Sequence, residues 1–250
     1  MRSFALLIAS AIILLFFAVL LAHLFWILFW FLLMIFIAVM IWGIFDLRIQ
    51  LFVKTITTTK GGILLTFDDG PDKERTPAIL DLLLKKDISA IFFVIGSKVE
   101  ENTELTKKII ANGHVVGGHS YSHKIESTFY STRSCIDEIQ KCNVSIEKAT
   151  HQKCSIYRPP FGVSTPSMGK AFKELGTMVI GWSVRSVDTK LSSKVALSRL
   201  KRRTRMDSIV LLHDAGSLSI ADLEHYIDHC IERGYLFANA QQFIQDHHAA

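Results

Sequence analysis

Between Phe4 and Phe45 the 250-residue chain has no aspartate, glutamate, lysine or arginine, and the only markedly polar side chains there are Ser10 and His23. A stretch without charge cannot be a solvated surface helix. As helix it would run about 63 Å, against about 30 Å of bilayer hydrocarbon, so one upright span overshoots. The length predicts two transmembrane helices meeting in a tight hairpin near His23 to Trp26, where Phe25, Trp26 and Trp30 suit a membrane interface. An uncleaved signal anchor followed by an interfacial helix is the alternative. A cleaved signal peptide fits less well, because its apolar core is usually short.

Cysteine is also scarce. Cys135, Cys142, Cys154 and Cys230 form no C-x-x-C pair, and Cys135 and Cys142 lie about 10 Å apart along an expected helix, too far to bridge. This argues against a disulfide framework and offers no thiol nucleophile. There is no internal repeat. The net charge of +5 belongs mostly to the flanks of the apolar stretch: setting aside Arg2, Arg48, Lys54, Lys60 and Asp46 leaves 24 basic against 22 acidic residues. Basic groups stand on both sides of that stretch, so they assign no membrane side. The run Arg199, Lys201, Arg202, Arg203 and Arg205 reads as a solvated helix face, with attraction of anionic lipid or polymer as the alternative. Nucleic-acid binding has no support beyond this run, and no protein partner is evident. The chain is therefore expected to divide into a membrane anchor, 1–58, and a globular domain, 59–250, long enough for one core.

That second part alternates apolar runs with amphipathic stretches, the pattern of an α/β fold with a parallel sheet or barrel. Strands are expected at Gly61 to Phe67, Ala90 to Ile95, Val115 to Gly118, Ser155 to Arg158, Met178 to Trp182, Ile209 to His213 and Tyr235 to Ala238. Helices are expected at Thr76 to Lys86, Val99 to Asn112, Ser131 to Ala149, Ser167 to Leu175, Ser192 to Arg203 and Ile220 to Arg233, with His247-His248 in a tail. In such folds active sites gather at the carboxyl ends of strands, and the chemically capable residues lie there.

Thr66-Phe67-Asp68-Asp69-Gly70-Pro71 places two adjacent carboxylates at the end of the first strand. Neighbouring strand side chains face opposite ways, so both serve one site only if the chain bends, and Gly70-Pro71 supplies a bend. His119-Ser120-Tyr121-Ser122-His123 presents two imidazoles four positions apart, able to share one side of a turn. One carboxylate with two imidazoles is a metal triad that leaves a position open for water, and the other carboxylate remains as an acid or base beside it. Taken singly, Asp68-Asp69 would be a solvated turn and the histidines an ordinary pair; it is their joint position at successive strand ends that suggests a site. Tyr157-Arg158-Pro159-Pro160-Phe161-Gly162 adds a cation able to pin a carboxylate. Trp182, in Gly181 to Asp188, is a core residue or a substrate platform. The strand Ile209 to His213 delivers a histidine that is structural or, facing a metal, a proton donor.

The order TFDDGP, HSYSH, RPPFG, WSVRSVD, LLHD resembles the polysaccharide deacetylases, carbohydrate esterase family 4, with their NodB homology domain, over Lys60 to Gln245. The resemblance implies a distorted (β/α) barrel of about seven strands and metal-dependent removal of acetyl groups from N-acetylated sugars. It further implies that Asp69, His119 and His123 hold a divalent metal, Zn²⁺ by preference, with Asp68 as general base and His213 as general acid. Arg158 would orient the base, Asp188 would tune His213, the Phe161 N–H would donate to an oxyanion, and Trp182 and Leu211 would line the acetyl groove. Two departures stand out: Phe161 replaces a tyrosine common in the family, and Arg185 and Thr189 replace an acid and a tryptophan of the fourth motif. The first reading is a deacetylase of peptidoglycan or another N-acetylglucosamine polymer. The others are a deacetylase or deformylase of a lipid-linked sugar, and a catalytically silent sugar-binding membrane protein.

Overall fold

The computed structural model describes residues 2–126 and 130–248. The chain forms two compact units, 1–43 and 44–250.

The first unit is carried by one helix, α1 (Arg2–Phe45). It passes through His23 to Trp26 without a break, so the expected hairpin is absent from the structure. The reason is local: no glycine, proline, asparagine or aspartate occurs before Gly43, and nothing else supplies a turn. The two polar side chains of its uncharged stretch, Ser10 and His23, turn back on the helix. The Ser10 hydroxyl donates to the Leu7 carbonyl at 2.9 Å and His23 Nδ1 lies 2.8 Å from the Val19 carbonyl. The apolar side chains are exposed along its length.

The second unit begins earlier than residue 59. Leu47, Val53 and Thr55 are buried, and Ile56 bridges to Ile180. Residues 44–58 therefore belong to the globular unit rather than to the first.

Seven parallel strands make one curled, half-barrel sheet: β1 (Leu64–Gly70), β2 (Ala90–Val94), β3 (Val115–Gly118), β4 (Ile156–Tyr157), β5 (Met178–Val179), β6 (Val184–Arg185) and β7 (Ile209–His213), in the order β5-β4-β3-β2-β1-β7-β6. Around them run α2 (Arg75–Lys85), α3 (Gly96–Glu101), α4 (Thr103–Ala111), α5 (Thr132–Thr150), α6 (Pro166–Leu175), α7 (Ser193–Arg203), α8 (Ile220–Glu232) and α9 (Ala240–His248). Consecutive β5 and β6 stand at opposite edges, so the barrel stays open.

Alternation along the central strands sorts their side chains. Leu65, Phe67, Val210 and Leu212 pack outward with helix residues such as Leu83, Leu223 and Ile227. Leu64 and Ile209 pack inward with Phe93, Ile156 and Ile180. By the same period of two, Thr66, Asp68, Leu211 and His213 belong to the inner face.

Three sequence expectations shift. Tyr235 to Ala238 makes only a one-residue bridge, Ile63 to Phe237, because β2 and β7 already flank β1 on both sides. The seventh strand is instead the two-residue β6, too short to show a period. The helix expected from Val99 to Asn112 is two helices broken at Asn102, whose φ and ψ of −136° and 45° are not helical. Finally, His247 and His248 end α9 rather than a tail.

Candidate active site

The site is built on a break in β1. Asp69 has φ of 69°, and the pairing of β1 with β2 slips between Asp68 and Gly70. The bend thus falls on Asp69 itself, one residue before the expected Gly-Pro, and both carboxylates line the same cavity. Lys98 Nζ donates to the Asp69 carbonyl at 2.7 Å, fixing this left-handed residue.

Asp69 Oδ1 lies 3.4 Å from His119 Nε2 and 3.1 Å from His123 Nε2, and one ligand atom from each of the three residues falls within 4.8 Å of the others. His119 Nδ1 lies 2.7 Å from the Arg158 carbonyl, which fits an Nδ1–H donor and leaves Nε2 with its lone pair toward Asp69. The loop between the histidines is pinned by Glu138 of α5, which accepts from the Tyr121 N–H at 3.2 Å and from the Ser122 N–H and hydroxyl at 3.0 Å each. The Ser120 hydroxyl accepts from the His123 N–H at 2.9 Å.

Charge within the triad is consistent with a cation. Burial alone would raise the Asp69 carboxyl, but His119, His123 and His213 together hold it well below the usual carboxylate range. Burial, reinforced by His119, pushes His123 down to about 4, so its imidazole is neutral at pH 7 and able to ligate. Asp69 Oδ1 is buried and has no hydrogen-bond partner among the described residues. An orphaned carboxylate oxygen between two imidazole nitrogens is the donor set of a tetrahedral metal with an open position, and the residues fit a divalent ion.

Asp68 is held separately. Arg158 is fully buried, and its Nη1 donates to Asp68 Oδ1 at 2.8 Å and to the Thr66 hydroxyl at 2.7 Å. Its Nε reaches the Ile180 carbonyl at 3.0 Å and its Nη2 the Gly181 carbonyl at 2.6 Å. The guanidinium stacks 4.2 Å from the Phe93 ring. Every side of this cation is occupied, so Asp68 is fixed by a rigid fork rather than a mobile charge.

Beside Asp68 on the neighbouring strand β7, His213 Nδ1 meets Asp188 Oδ1 at 2.6 Å, and the His213 N–H donates to Asp188 Oδ2 at 3.0 Å. The Ser186 hydroxyl steadies Asp188 at 2.6 Å. Burial would lower the His213 pKa, but Asp188, with Asp68 and Asp69, raises it above the ordinary histidine value. Burial would raise Asp188, and its bonds to His213 and Ser186 bring it below the usual range.

The cavity, about 360 Å³, is also lined by Phe161, Gly162, Trp182, Arg185, Thr189, Lys190 and Leu211. Phe161, at φ of 59°, lays its half-exposed ring 4.6 Å from His123. Gly162 has φ of +71°, and a Cβ there would meet the Trp182 ring at 2.4 Å, so only glycine lets the indole close this wall. All ten site residues read from the sequence are thus in the cavity wall or one bond behind it. Sequence reasoning missed Glu138, Lys98 and Asp214. Asp214, whose N–H donates to the Asp68 carbonyl at 2.8 Å, accepts from the Thr76 hydroxyl at 2.6 Å, and burial pushes its carboxyl up to about 6. Its place beside His213 was the only available signal; Glu138 and Lys98 gave none.

The polysaccharide deacetylase family model matches residues 55–180. The chain belongs to that family. It is 32% identical over 192 residues to the peptidoglycan-N-acetylmuramic acid deacetylase PdaA of Bacillus subtilis, covering 75% of this chain and 73% of that protein. It is also 32% identical over 185 residues to the peptidoglycan-N-acetylglucosamine deacetylase PgdA of Listeria monocytogenes, but the match spans 74% of this chain and only 39% of that protein. Among solved structures, wild-type BA3943 of Bacillus anthracis, described as a CE4 family pseudoenzyme, matches at 31% identity and a TM-score of 0.70, covering 76% of this chain and 68% of that one.

Glu138 touches the histidine loop but not the triad itself. Glu138→Ala should weaken metal binding by about 10- to 100-fold without unfolding the protein, as read by chelator competition alongside circular dichroism.

Proposed function

We propose that the chain is a metal-dependent hydrolase that removes N-acetyl groups from an N-acetylated polysaccharide of the cell envelope, with peptidoglycan as the leading substrate. The observation that carries this reading is the convergence of Asp69, His119 and His123 on one point, with Asp68 and His213 in the same cavity wall. The two peptidoglycan deacetylases to which the chain is similar support the choice of polymer.

An amide is a poor electrophile with a poor leaving group, so its hydrolysis needs a stronger nucleophile, a stabilised oxyanion and a proton for the amine. Asp69, His119 and His123 would hold a divalent ion, which we take to be Zn²⁺, and such an ion would supply polarisation of the acetyl carbonyl and acidification of water. Asp68, held by Arg158, takes the proton from the attacking water. The Phe161 N–H donates to the developing oxyanion. His213, protonated because Asp188 holds its Nδ1 proton, delivers the Nε2 proton to the departing sugar amine. Trp182 and Leu211 form the apolar seat for the acetyl methyl. A catalytically silent sugar-binding role draws support from the likeness to BA3943. Against it stands the buried His213–Asp188 pair, since binding alone requires no proton donor opposite a metal.

We further propose that α1 anchors the protein in a membrane as one continuous helix, with a signal sequence as the alternative. Its uncharged length and the internal bonding of Ser10 and His23 support insertion, because polar groups in hydrocarbon must find partners within the helix.

Zinc-dependent acetate release from peptidoglycan tests the activity. Asp68→Asn should lower kcat by at least about 100-fold with zinc still bound, whereas His119→Ala should lose both; equal metal loss in the two variants would overturn the division of roles. Because His213 must be protonated, the rate should fall as pH rises through its raised pKa. Asp188→Asn, by removing the carboxylate that raises it, should move that alkaline limb to lower pH; an unmoved limb would assign the acid elsewhere. For the anchor, full-length protein should remain in the membrane pellet after alkaline carbonate washing with its N-terminal segment intact, and recovery of a shortened soluble form would establish cleavage.

A further inference from the structure

Beside the metal cavity lies a second pocket of about 220 Å³, whose walls include Arg48, Arg185, Arg199 and Arg203 but only one acid, Asp46. The two cavities share a wall, since Trp182 and Arg185 line both. Asp46 is engaged by Arg48, which forks onto it from Nε at 2.9 Å and Nη2 at 2.6 Å. Among the described residues, Arg185, Arg199 and Arg203 have no acidic partner, and the buried Nε of Arg185 has no hydrogen-bond partner at all. Four arginines thus line one pocket with a single acid among them.

Their supports are rigid. Arg185 sits on β6 with its guanidinium 5.9 Å from the Trp182 ring. Arg199 Nε donates to the Arg185 carbonyl at 2.8 Å, tying α7 to the strand and placing Arg203 one helical turn further along the same face. A basic last turn can simply complement a helix dipole, but that task already falls to Arg205, which donates to the Arg202 and Thr204 carbonyls at 2.9 and 2.8 Å. It would not explain why Arg185 and Arg48 meet Arg199 and Arg203 from other segments. Lys190, on the wall of the metal cavity, continues the positive surface.

We propose that this pocket binds a phosphate group carried by the substrate, so that the N-acetylated polymer whose acetamide enters the metal cavity is phosphorylated rather than neutral. Guanidinium forks match phosphate oxygens in pairs, and a multiply charged phosphate answers three cations where a single carboxylate would leave an excess. The shared wall allows one molecule to fill both cavities. This assignment rests on the hydrolase reading for the acetamide half and on the arginines alone for the phosphate half.

The test uses full-length protein in detergent and titration calorimetry. Inorganic phosphate should bind after EDTA treatment, and binding should weaken about 10-fold or more in Arg185→Gln and in Arg203→Glu. N-acetylglucosamine 1-phosphate should bind more tightly than glycerol phosphate. In zinc-loaded protein, kcat/KM for a phosphorylated N-acetylglucosamine tetramer should exceed that for the neutral tetramer by about tenfold or more, and Arg203→Glu should bring the ratio toward one. Phosphate binding that vanishes with EDTA or ignores the arginine variants would overturn the pocket. Glycerol phosphate binding as tightly as the sugar phosphate would reassign it to lipid headgroups, and a preference for a carboxylate-bearing tetramer would also overturn the proposal. If neither tetramer is deacetylated while arginine-dependent sugar-phosphate binding persists, the hydrolase reading fails and the anion pocket stands.

Discussion

One backbone conformation governs this site. On a regular strand Asp68 would face the barrel interior and Asp69 the helices, and no constellation of five polar residues could form. The left-handed turn at Asp69, with the slip in β1–β2 pairing, brings the second carboxylate round to the cavity that holds the first. An aspartate tolerates that conformation better than most residues, and its carbonyl is caught by Lys98. The same fold of chain leaves Gly70 against Asp214: a Cβ there would meet Asp214 Oδ2 at 2.1 Å. Asp214 in turn grips Thr76 and the Asp68 carbonyl. The strand end is therefore clamped from α2, α3 and the loop after β7, and the two carboxylates can differ in task because they differ in partners.

That difference is electrostatic. Asp69 faces imidazoles and an open cavity; Asp68 faces a buried guanidinium whose three nitrogens are all hydrogen-bonded. Burying a cation is costly unless geometry and hydrogen bonds offset the loss of water, and Arg158 meets that condition with two backbone carbonyls, a hydroxyl, a carboxylate and an aromatic face. On the neighbouring strand, the Asp188–His213 pair sets the opposite polarity, with the anion buried and the imidazole turned to the cavity. Base and acid thus stand side by side at the ends of neighbouring strands, each fixed by a different partner, as a reaction that removes one proton and returns another requires.

The motif order was readable because strand-end chemistry is local: six-residue runs carried Asp68, Asp69, Arg158 and His213, and the four-residue spacing carried His119 and His123. What lay beyond reading were contacts between distant segments. Glu138 supports a loop sixteen residues before it from the middle of an ordinary amphipathic helix, and nothing in its neighbourhood sets it apart. The two-residue β6 has no periodicity to detect, whereas Tyr235 to Ala238 looked like a strand but found β1 already paired on both edges. Residues 44–58 read as an appendage because the uncharged run dominates their surroundings, yet Leu47 and Val53 are buried. The hairpin in the apolar run was inferred from membrane thickness, a constraint outside the chain, whereas the helix follows the residues, which offer no turn.

The basic run of α7 is the instructive middle case. In sequence, Arg199, Arg202, Arg203 and Arg205 are one block and read as one solvated face. In space they separate: Arg205, just past the helix, donates to the Arg202 and Thr204 carbonyls at its end, while the Arg199 Nε donates to the Arg185 carbonyl and Arg203 lines the same pocket as both. A cluster of like charges costs energy in the folded state unless a ligand of opposite sign or bulk solvent relieves it. Here one member has a buried, unpartnered Nε, so solvent alone does not relieve it. The charge also lies on the wall shared with the metal cavity, where it would favour any anionic substrate before chemistry begins and would oppose protonation of groups on that wall. Asp68, Asp69 and Asp188 face the other way, drawing His213 toward its protonated form. The sugar that fits both cavities is one whose negative group lies toward the arginines and whose acetamide lies toward the acids and imidazoles, and that polarity fixes the direction in which it can enter.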